Sequence, residues 1–528
     1  MSIVQVNEQE LEQRLGLVEM ARSWSPRVIS KLENVIRNYQ DDDLYRFNPV
    51  RYAIQTGMAE SEAIALFLHA TRSGLLTMEW HLVCASCGHL VESLRGMGNL
   101  HSHYNCDMCF AENEATLDDF IHVTFTVSPE IRRLVFHEPE TLPIEDFYFK
   151  YRMAKGVRPI SEAALRAWKV SWPLPEPTFR MSKGIPQLPA EPTFNDVILS
   201  WTKLLTYLKP GERQTIEVDA PIGSFCRISD LLNNTVCLVA FGPELSEQIQ
   251  HVRVALIGQK LRILDQDVRS VKAETATFHY NLEQVCTLPG GRTVFELENR
   301  TSERSSVWMI LGPQAPPSVP PRLEFETFLS GKRLLTDPTF RELFGDEALN
   351  ESQNIGIKNI TFLVSDLKGS TALYDAVGDV QGYHLVRRHF AALTRAVAGH
   401  SGAVVKTIGD EVMATFADPV DAVSAAIDIA REVEEMNRTL SERLCLKMGI
   451  HGGHCLLVTL NNRLDYFGQT VNIAYRLLRL ARGGELCLSI EICENPQVTD
   501  LLDSFGVPTE RLDAGESDAK AMAYSLQR

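Results

Sequence analysis

Two aspartates give the first chemical signal. Asp366 closes the apolar run Ile360-Thr-Phe-Leu-Val-Ser365, and Asp410 lies at the tip of Lys406-Thr-Ile-Gly-Asp-Glu-Val-Met-Ala-Thr-Phe416. A Gly-Asp pair between β-prone flanks is a tight hairpin signal, and the upstream run reads as a buried strand. If the two strands are neighbours, both carboxylates meet at adjacent strand ends, beside Leu367-Lys-Gly369-Ser370-Thr371. Hard divalent cations take carboxylate oxygens, and free N–H groups at a helix start suit phosphate, so this grouping fits Mg²⁺ ions holding a triphosphate. Alone, the same residues equally describe an ordinary hairpin and a capped helix. A third segment runs Leu464-Asp465-Tyr-Phe-Gly-Gln-Thr-Val-Asn472-Ile-Ala-Tyr-Arg476, with apolar Val471, Ala474, Leu478 and Ala481 at helical spacing. Asn472 and Arg476, four apart, share one face of that helix, which in isolation reads as a solvated surface.

Together these residues resemble the class III nucleotidyl cyclases. There an Asp-ended strand, a Lys-x-x-Gly-Asp hairpin and an Asp-x-x-Gly-x-Thr-Val-Asn-x-Ala-x-Arg helix recur in this order. The resemblance covers roughly Gly356 to Gln527. It implies that Asp366, Asp410 and the Leu367 carbonyl bind two Mg²⁺ or Mn²⁺ ions, and that Gly369, Ser370 and Thr371 cradle phosphates. It makes Lys406 and Asp465 the base readers, gives Asn472 the ribose, and gives Arg476 the charge that develops on phosphorus. A Lys donor and an Asp acceptor complement adenine, whereas guanine reverses the pattern, so the implied substrate is ATP. Members with the whole set on one chain form head-to-tail homodimers with shared sites. Three departures stand out: Ser370 replaces the usual Phe, Gly452-Gly453 replaces Thr-Gly, and the tail has Arg511 and Lys520 instead of a phosphate-binding Lys near the last strand. The alternatives are a cyclase of other base choice and a catalytically silent nucleotide-binding regulator.

Positioning these groups needs an α+β domain of the ferredoxin-like layout, with helices on one face of a sheet. Two stripes supply the helices: Tyr383, Val386, Phe390, Leu393, Val397, and Val420, Val423, Ile427, Ala430, Val433. The remaining chain divides into 1–190, helical with a zinc ribbon at about 81–115; 191–324, β-rich and sandwich-like; a connecting helical segment at 325–355; and the catalytic domain at 356–528. Asn48 to Thr77 reads as two helices broken near Gly57. Ser161 to Val170 carries a short helical signal before a Pro-rich linker that ends near Pro192.

Cys84-Ala-Ser-Cys87 and Cys106-Asp-Met-Cys109 stand 18 residues apart, the spacing of two zinc knuckles, with His101 or His103 as minor substitutes. Between His81 and Phe120 the only basic Lys or Arg is Arg95, against six acidic residues, so this ribbon is expected to be a structural staple rather than a nucleic-acid reader. The other seven of eleven cysteines have no metal spacing and read as reduced thiols. A formal net charge of −16 argues against nucleic-acid or anionic-membrane partners. Without an apolar leader or a long apolar run, a cytoplasmic protein with no membrane insertion is expected. The N-terminal half is expected to sense an unidentified ligand or partner.

Overall fold

A computed structural model describes residues 6–106, 108, 112–160, 189, 191–274, 279–313, 323–350, 353–369, 378–440, 443–506, 509–512 and 521–526. The helical signal at Ser161 to Val170 lies outside these residues, as does nearly all of the following Pro-rich segment.

The N-terminal region begins with helices α1 (Glu8–Ala21), α2 (Val28–Asn38), α3 (Asp41–Leu44), α4 (Pro49–Thr56) and α5 (Glu60–Arg72). Asn48 caps α4 through its side chain, Pro49 starts it, and Gly57 at φ 64° ends it, which is the break read from sequence. Strands β1 (Leu76–Val83), β2 (Leu90–Leu94) and β5 (Ile121–Val127) form an antiparallel sheet in the order β2-β1-β5. Between them lies the small hairpin β3 (His103–Asn105) and β4 (Glu112–Glu114).

The middle region contributes strands β6 (Thr202–Leu208), β7 (Arg213–Ala220), β8 (Ser224–Asp230), β9 (Thr235–Leu245), β10 (Gln250–Ile257), β11 (Lys260–Leu264), β12 (Arg269–Glu274), β13 (His279–Asn299) and β14 (Ser305–Pro313). The 21-residue β13 pairs with β9 and β12 through its first half, and with β7 and β10 through its second. Strands from both sides of it fill one core around Phe241, Val254, Phe295 and Met309.

After short helices Gly331–Leu335 and Pro338–Leu343 comes the C-terminal sheet. Its strands are β15 (Ile355–Leu367), β16 (Ala403–Ile408), β17 (Glu411–Phe416), β18 (Leu446–Leu460), β19 (Arg463–Phe467), β20 (Glu485–Ser489), β21 (Thr509–Leu512) and β22 (Ala521–Ser525). They run β16-β17-β15-β18-β20-β22-β21, with β19 folded back on β18. Helices Asp379–Gly399, Pro419–Asn437 and Pro496–Ser504 cover one face, where Leu363, Val412, Ala414 and Phe416 are buried.

One expectation is corrected here: the sheet is covered on both faces. Phe362, Val364 and Met413 point the other way, into a core shared with Val471, Ala474 and Leu478 of the Gln469–Leu480 helix and with Trp80 and Phe340 of the preceding regions. β15 is apolar at consecutive positions, the pattern of a strand buried on both sides. Gly449 marks how closely the helix approaches, since a Cβ there would lie 2.5 Å from Leu478 N and 2.7 Å from Ala474 O. In the first helical stripe Tyr383 is also corrected, being 59% exposed, because it lies in the first turns of its helix beyond the sheet's cover.

The accessory regions are tied to this second face by directed bonds. Leu117 N donates to Gly356 O at 3.1 Å, and Thr459 Oγ1 donates to Leu349 O at 2.9 Å. Arg341 reaches the β19 hairpin, donating to Tyr466 Oη at 2.8 Å and to Leu464 O at 3.3 Å.

Candidate active site

The hairpin forms as its sequence dictates: β16 and β17 are joined by Gly409, at φ 65°, and Asp410. β17 pairs antiparallel with β15 from Thr361↔Phe416 to Ser365↔Val412, which brings Asp366 to the hairpin end. Asp366 and Asp410 both act on Glu411, whose carboxyl is held above its ordinary value first by burial and then by these two like charges. Asp366 Oδ2 accepts an ion pair from Lys447 Nζ at 2.5 Å, directly across the β15–β18 register. Asp410 Oδ2 is buried with no hydrogen-bond partner among the described residues. Three acids thus gather around one lysine, and one buried carboxylate oxygen is left without a donor, a set that fits hard divalent cations.

Lys406 and Asp465, 59 residues apart, meet as an ion pair with Nζ 2.5 Å from Oδ2. Asp465 is held in place because its Oδ1 accepts from Tyr466 N at 2.8 Å, while Tyr466 packs edge-on against Phe362. Asn472 and Arg476 lie on the exposed side of the Gln469–Leu480 helix, whose other side is buried at Val471, Ala474 and Leu478. Neither makes a side-chain hydrogen bond or ion pair among the described residues. Gly369 ends the described part of its loop at φ 76°, whereas Ser370 and Thr371 lie outside the described residues, as do Lys520 and the side chain of Arg511.

Sequence reasoning missed Lys447 and Arg341. Both act through contacts between distant segments, and no local period marks a lysine that will face an aspartate 81 positions away in the chain. Glu411 stood in plain view beside Asp410, and its clustering with Asp366 emerges only from strand pairing.

In the accessory half, the Sγ atoms of Cys84, Cys87 and Cys106 are all buried and lie within 4.8 Å of one another, with Cys87 and Cys106 at 3.6 Å. Cys109 lies outside the described residues. Neither His101 nor His103 joins the group, and His103 is exposed. The histidine that approaches is His89, fully buried, with Nδ1 3.9 Å from Cys106 Sγ and Nε2 accepting from Arg152 Nε at 3.1 Å.

The C-terminal third carries a nucleotidyl cyclase catalytic domain by its match to a family model. Residues 353–508 match the family described as the adenylate and guanylate cyclase catalytic domain, and residues 10–168 match a family of unknown function. An uncharacterized protein of Mycobacterium tuberculosis is 31% identical over 188 residues, 35% of this chain and 44% of its own length. The adenylate cyclase of Mycosarcoma maydis is 28% identical over 204 residues, 32% of this chain and 8% of that enzyme. The chain therefore spans less than half the length of these curated relatives. The crystal structure of the adenylyl cyclase CyaB from P. aeruginosa is 22% identical, covering 33% of this chain and 95% of that one at a TM-score of 0.29. Among the described residues no helix is long and apolar enough to cross a membrane.

Proposed function

We propose that this chain is an adenylate cyclase that converts ATP to 3′,5′-cyclic AMP and pyrophosphate, at sites shared between two copies and regulated through its N-terminal half. The observation that carries the base choice is the Lys406–Asp465 pair. It sets an ammonium donor beside a carboxylate acceptor in a partly enclosed place. Adenine presents a ring-nitrogen acceptor next to an amino donor, so it can take over both partners at once. Guanine would set donor against donor and acceptor against acceptor, leaving buried groups unpaired.

Asp366 and Asp410, helped by the Leu367 carbonyl, would hold two Mg²⁺ or Mn²⁺ ions per site. Bound there, such ions acidify the ribose 3′-hydroxyl and offset the charge of the triphosphate. Asn472 orients the ribose. As the 3′ oxygen bonds to the α-phosphorus and the bond to the bridging oxygen breaks, charge moves onto the leaving pyrophosphate. Arg476 meets that charge with a guanidinium that is ionised at any working pH. Exposure of Asn472 and Arg476, with no partner among the described residues, supports a homodimer in which each helix serves the other copy's carboxylates. The thiol cluster supports a structural Zn²⁺ closed by Cys109 as the fourth ligand.

The test is turnover of the four nucleoside triphosphates by the full chain with Mn²⁺ and with Mg²⁺, resolving the cyclic product. Cyclic AMP from ATP is expected, with a loss of at least about 100-fold in Asp410→Ala. A predominantly GTP-derived product would overturn the base assignment. Lys406→Glu combined with Asp465→Cys is expected to move preference from ATP toward GTP.

A further inference from the structure

The accessory half encloses a cavity of about 270 Å³ whose walls include Arg46, Phe47, His122, Val123, Lys155 and Phe328. Its cations differ in how they are used. Lys155 Nζ donates to the carbonyls of Asp42 and Tyr45 and pairs with the Asp42 carboxylate at 3.4 Å. Arg51 pairs with Glu326 at 4.0 Å. Arg46 is only 7% exposed and interacts with the Tyr45 hydroxyl, yet among the described residues its Nε and Nη1 have no hydrogen-bond partner and it forms no ion pair. Glu79 acts on it at longer range, and its own carboxyl is pushed up by burial.

The guanidinium is positioned by its surroundings. Its carbon lies 4.6 Å from the ring centre of Tyr45 and 5.4 Å from that of Tyr151. The backbone of Arg46 is left-handed, at φ 51°, a conformation a bulky residue holds only where its surroundings enforce it. A buried guanidinium with free N–H groups lining a cavity is a site for an anion.

A second group faces the same cavity. His122 stacks on Phe328 with ring centres 3.6 Å apart, and its Nε2 is buried without a partner. Burial pushes this imidazole down to about 3, so it is neutral, and its remaining nitrogen bonds to the Asp119 backbone carbonyl. That fixes the tautomer and leaves Nε2 as a lone-pair acceptor. His81, the other imidazole on the wall, is satisfied at both nitrogens by Ser93 and Thr124. The cavity therefore offers one cationic donor, one neutral acceptor and the rings of Phe47 and Phe328 in its wall.

We propose that this cavity binds a small hydroxy-substituted aromatic carboxylate, with its carboxylate on Arg46 and its hydroxyl donating to His122. Phe328 in its wall belongs to the segment that pairs along β5, where Val123 N donates to Leu329 O at 2.8 Å. That segment continues through two short helices to Arg341 and the β19 hairpin. Signalling along this route rests on the cyclase reading above, whereas binding does not.

Calorimetric titration of the full chain with 4-hydroxybenzoate, benzoate, 4-hydroxybenzyl alcohol and inorganic phosphate tests the site directly. Saturable binding of 4-hydroxybenzoate is expected at one per chain, weaker for benzoate by about tenfold and lost for the alcohol and for phosphate. Arg46→Gln should abolish it. Because that buried position bears on folding, Gln55→Trp serves as a second variant, filling the cavity from an exposed lining residue. Absence of saturable binding overturns the proposal, as does phosphate or the alcohol binding as well as the acid. Undiminished binding in folded Arg46→Gln or in Gln55→Trp does the same.

Discussion

The strand ends of the C-terminal sheet and the cavity of the accessory half both gather charged groups that are partly withdrawn from water, and they leave opposite signs unanswered among the described residues. At the sheet, Lys447 pairs with Asp366 and acts on Glu411, and among the described residues a carboxylate oxygen of Asp410 has no donor. In the cavity Asp42 and Glu326 pair with Lys155 and Arg51, Asp43 acts on Lys155, and Nε and Nη1 of Arg46 have no acceptor among the described residues. Burying an unpaired charge is expensive, and folded proteins retain one only where something compensates. The contrast indicates what each place is built to receive: cations and the phosphates they carry at the sheet, an organic anion in the cavity.

In the proposed function each catalytic site is shared between two chains, and the largest predicted effect exploits this. Asp410→Ala and Arg476→Ala should each lower cyclic nucleotide formation by about 100-fold or more. Mixed together, they should recover a substantial part of wild-type activity, because heterodimers contain one site built from two intact halves. A mixture as inactive as either parent would show that each chain uses its own Arg476, and the comparison would then be between two self-contained sites. Activity assayed across mixing ratios checks this.

How much of this was legible beforehand follows from where each signal lives. The Gly409-Asp410 hairpin, the α4 break at Gly57 and the apolar side of the Gln469–Leu480 helix are local patterns, and the structure places them as read. The Lys406–Asp465 contact was legible only because the resemblance to a family named both residues. Coverage of the second sheet face was written in the consecutive apolar residues Phe362, Leu363 and Val364 of β15, yet what covers it comes from residues as remote as Trp80 and Phe340. The cavity was invisible because Arg46, His122, Lys155 and Phe328 come from four separate segments. In sequence, Arg46 is an unremarkable arginine between two aromatic residues.

An intermediate effect comes from the thiols of Cys84, Cys87 and Cys106, which converge on one buried point. With Zn²⁺ bound, Cys87→Ser or chelation should lower the thermal midpoint of the accessory half markedly, since a structural zinc site contributes folding free energy directly. The catalytic domain's own transition should move less. Metal content measured on the purified chain, with the two unfolding transitions followed separately, checks both statements. Equal losses in both transitions would mean that the shared core around Trp80, Phe362 and Phe340 couples the halves into one cooperative unit.

The smallest effect separates the two charged places by pH. His122 is held at about 3 by burial, against an ordinary 6.5 that applies when the chain is unfolded. Between those values the unfolded chain takes up a proton that the folded chain refuses. Folding is therefore unaffected above pH 6.5 and loses about 1.4 kcal/mol per pH unit as pH falls below it. Glu411 has the opposite sign: its raised carboxyl takes up its proton first in the folded state, so mild acid favours folding there. The thermal midpoint of the accessory half should drop on going from pH 7 to pH 5, and less steeply in His122→Phe, whose ring can keep the stack on Phe328. His81, also held low by burial, should preserve part of the slope. Equal slopes in the variant and the wild type would place the acid sensitivity elsewhere and remove His122 as a neutral acceptor in the cavity wall.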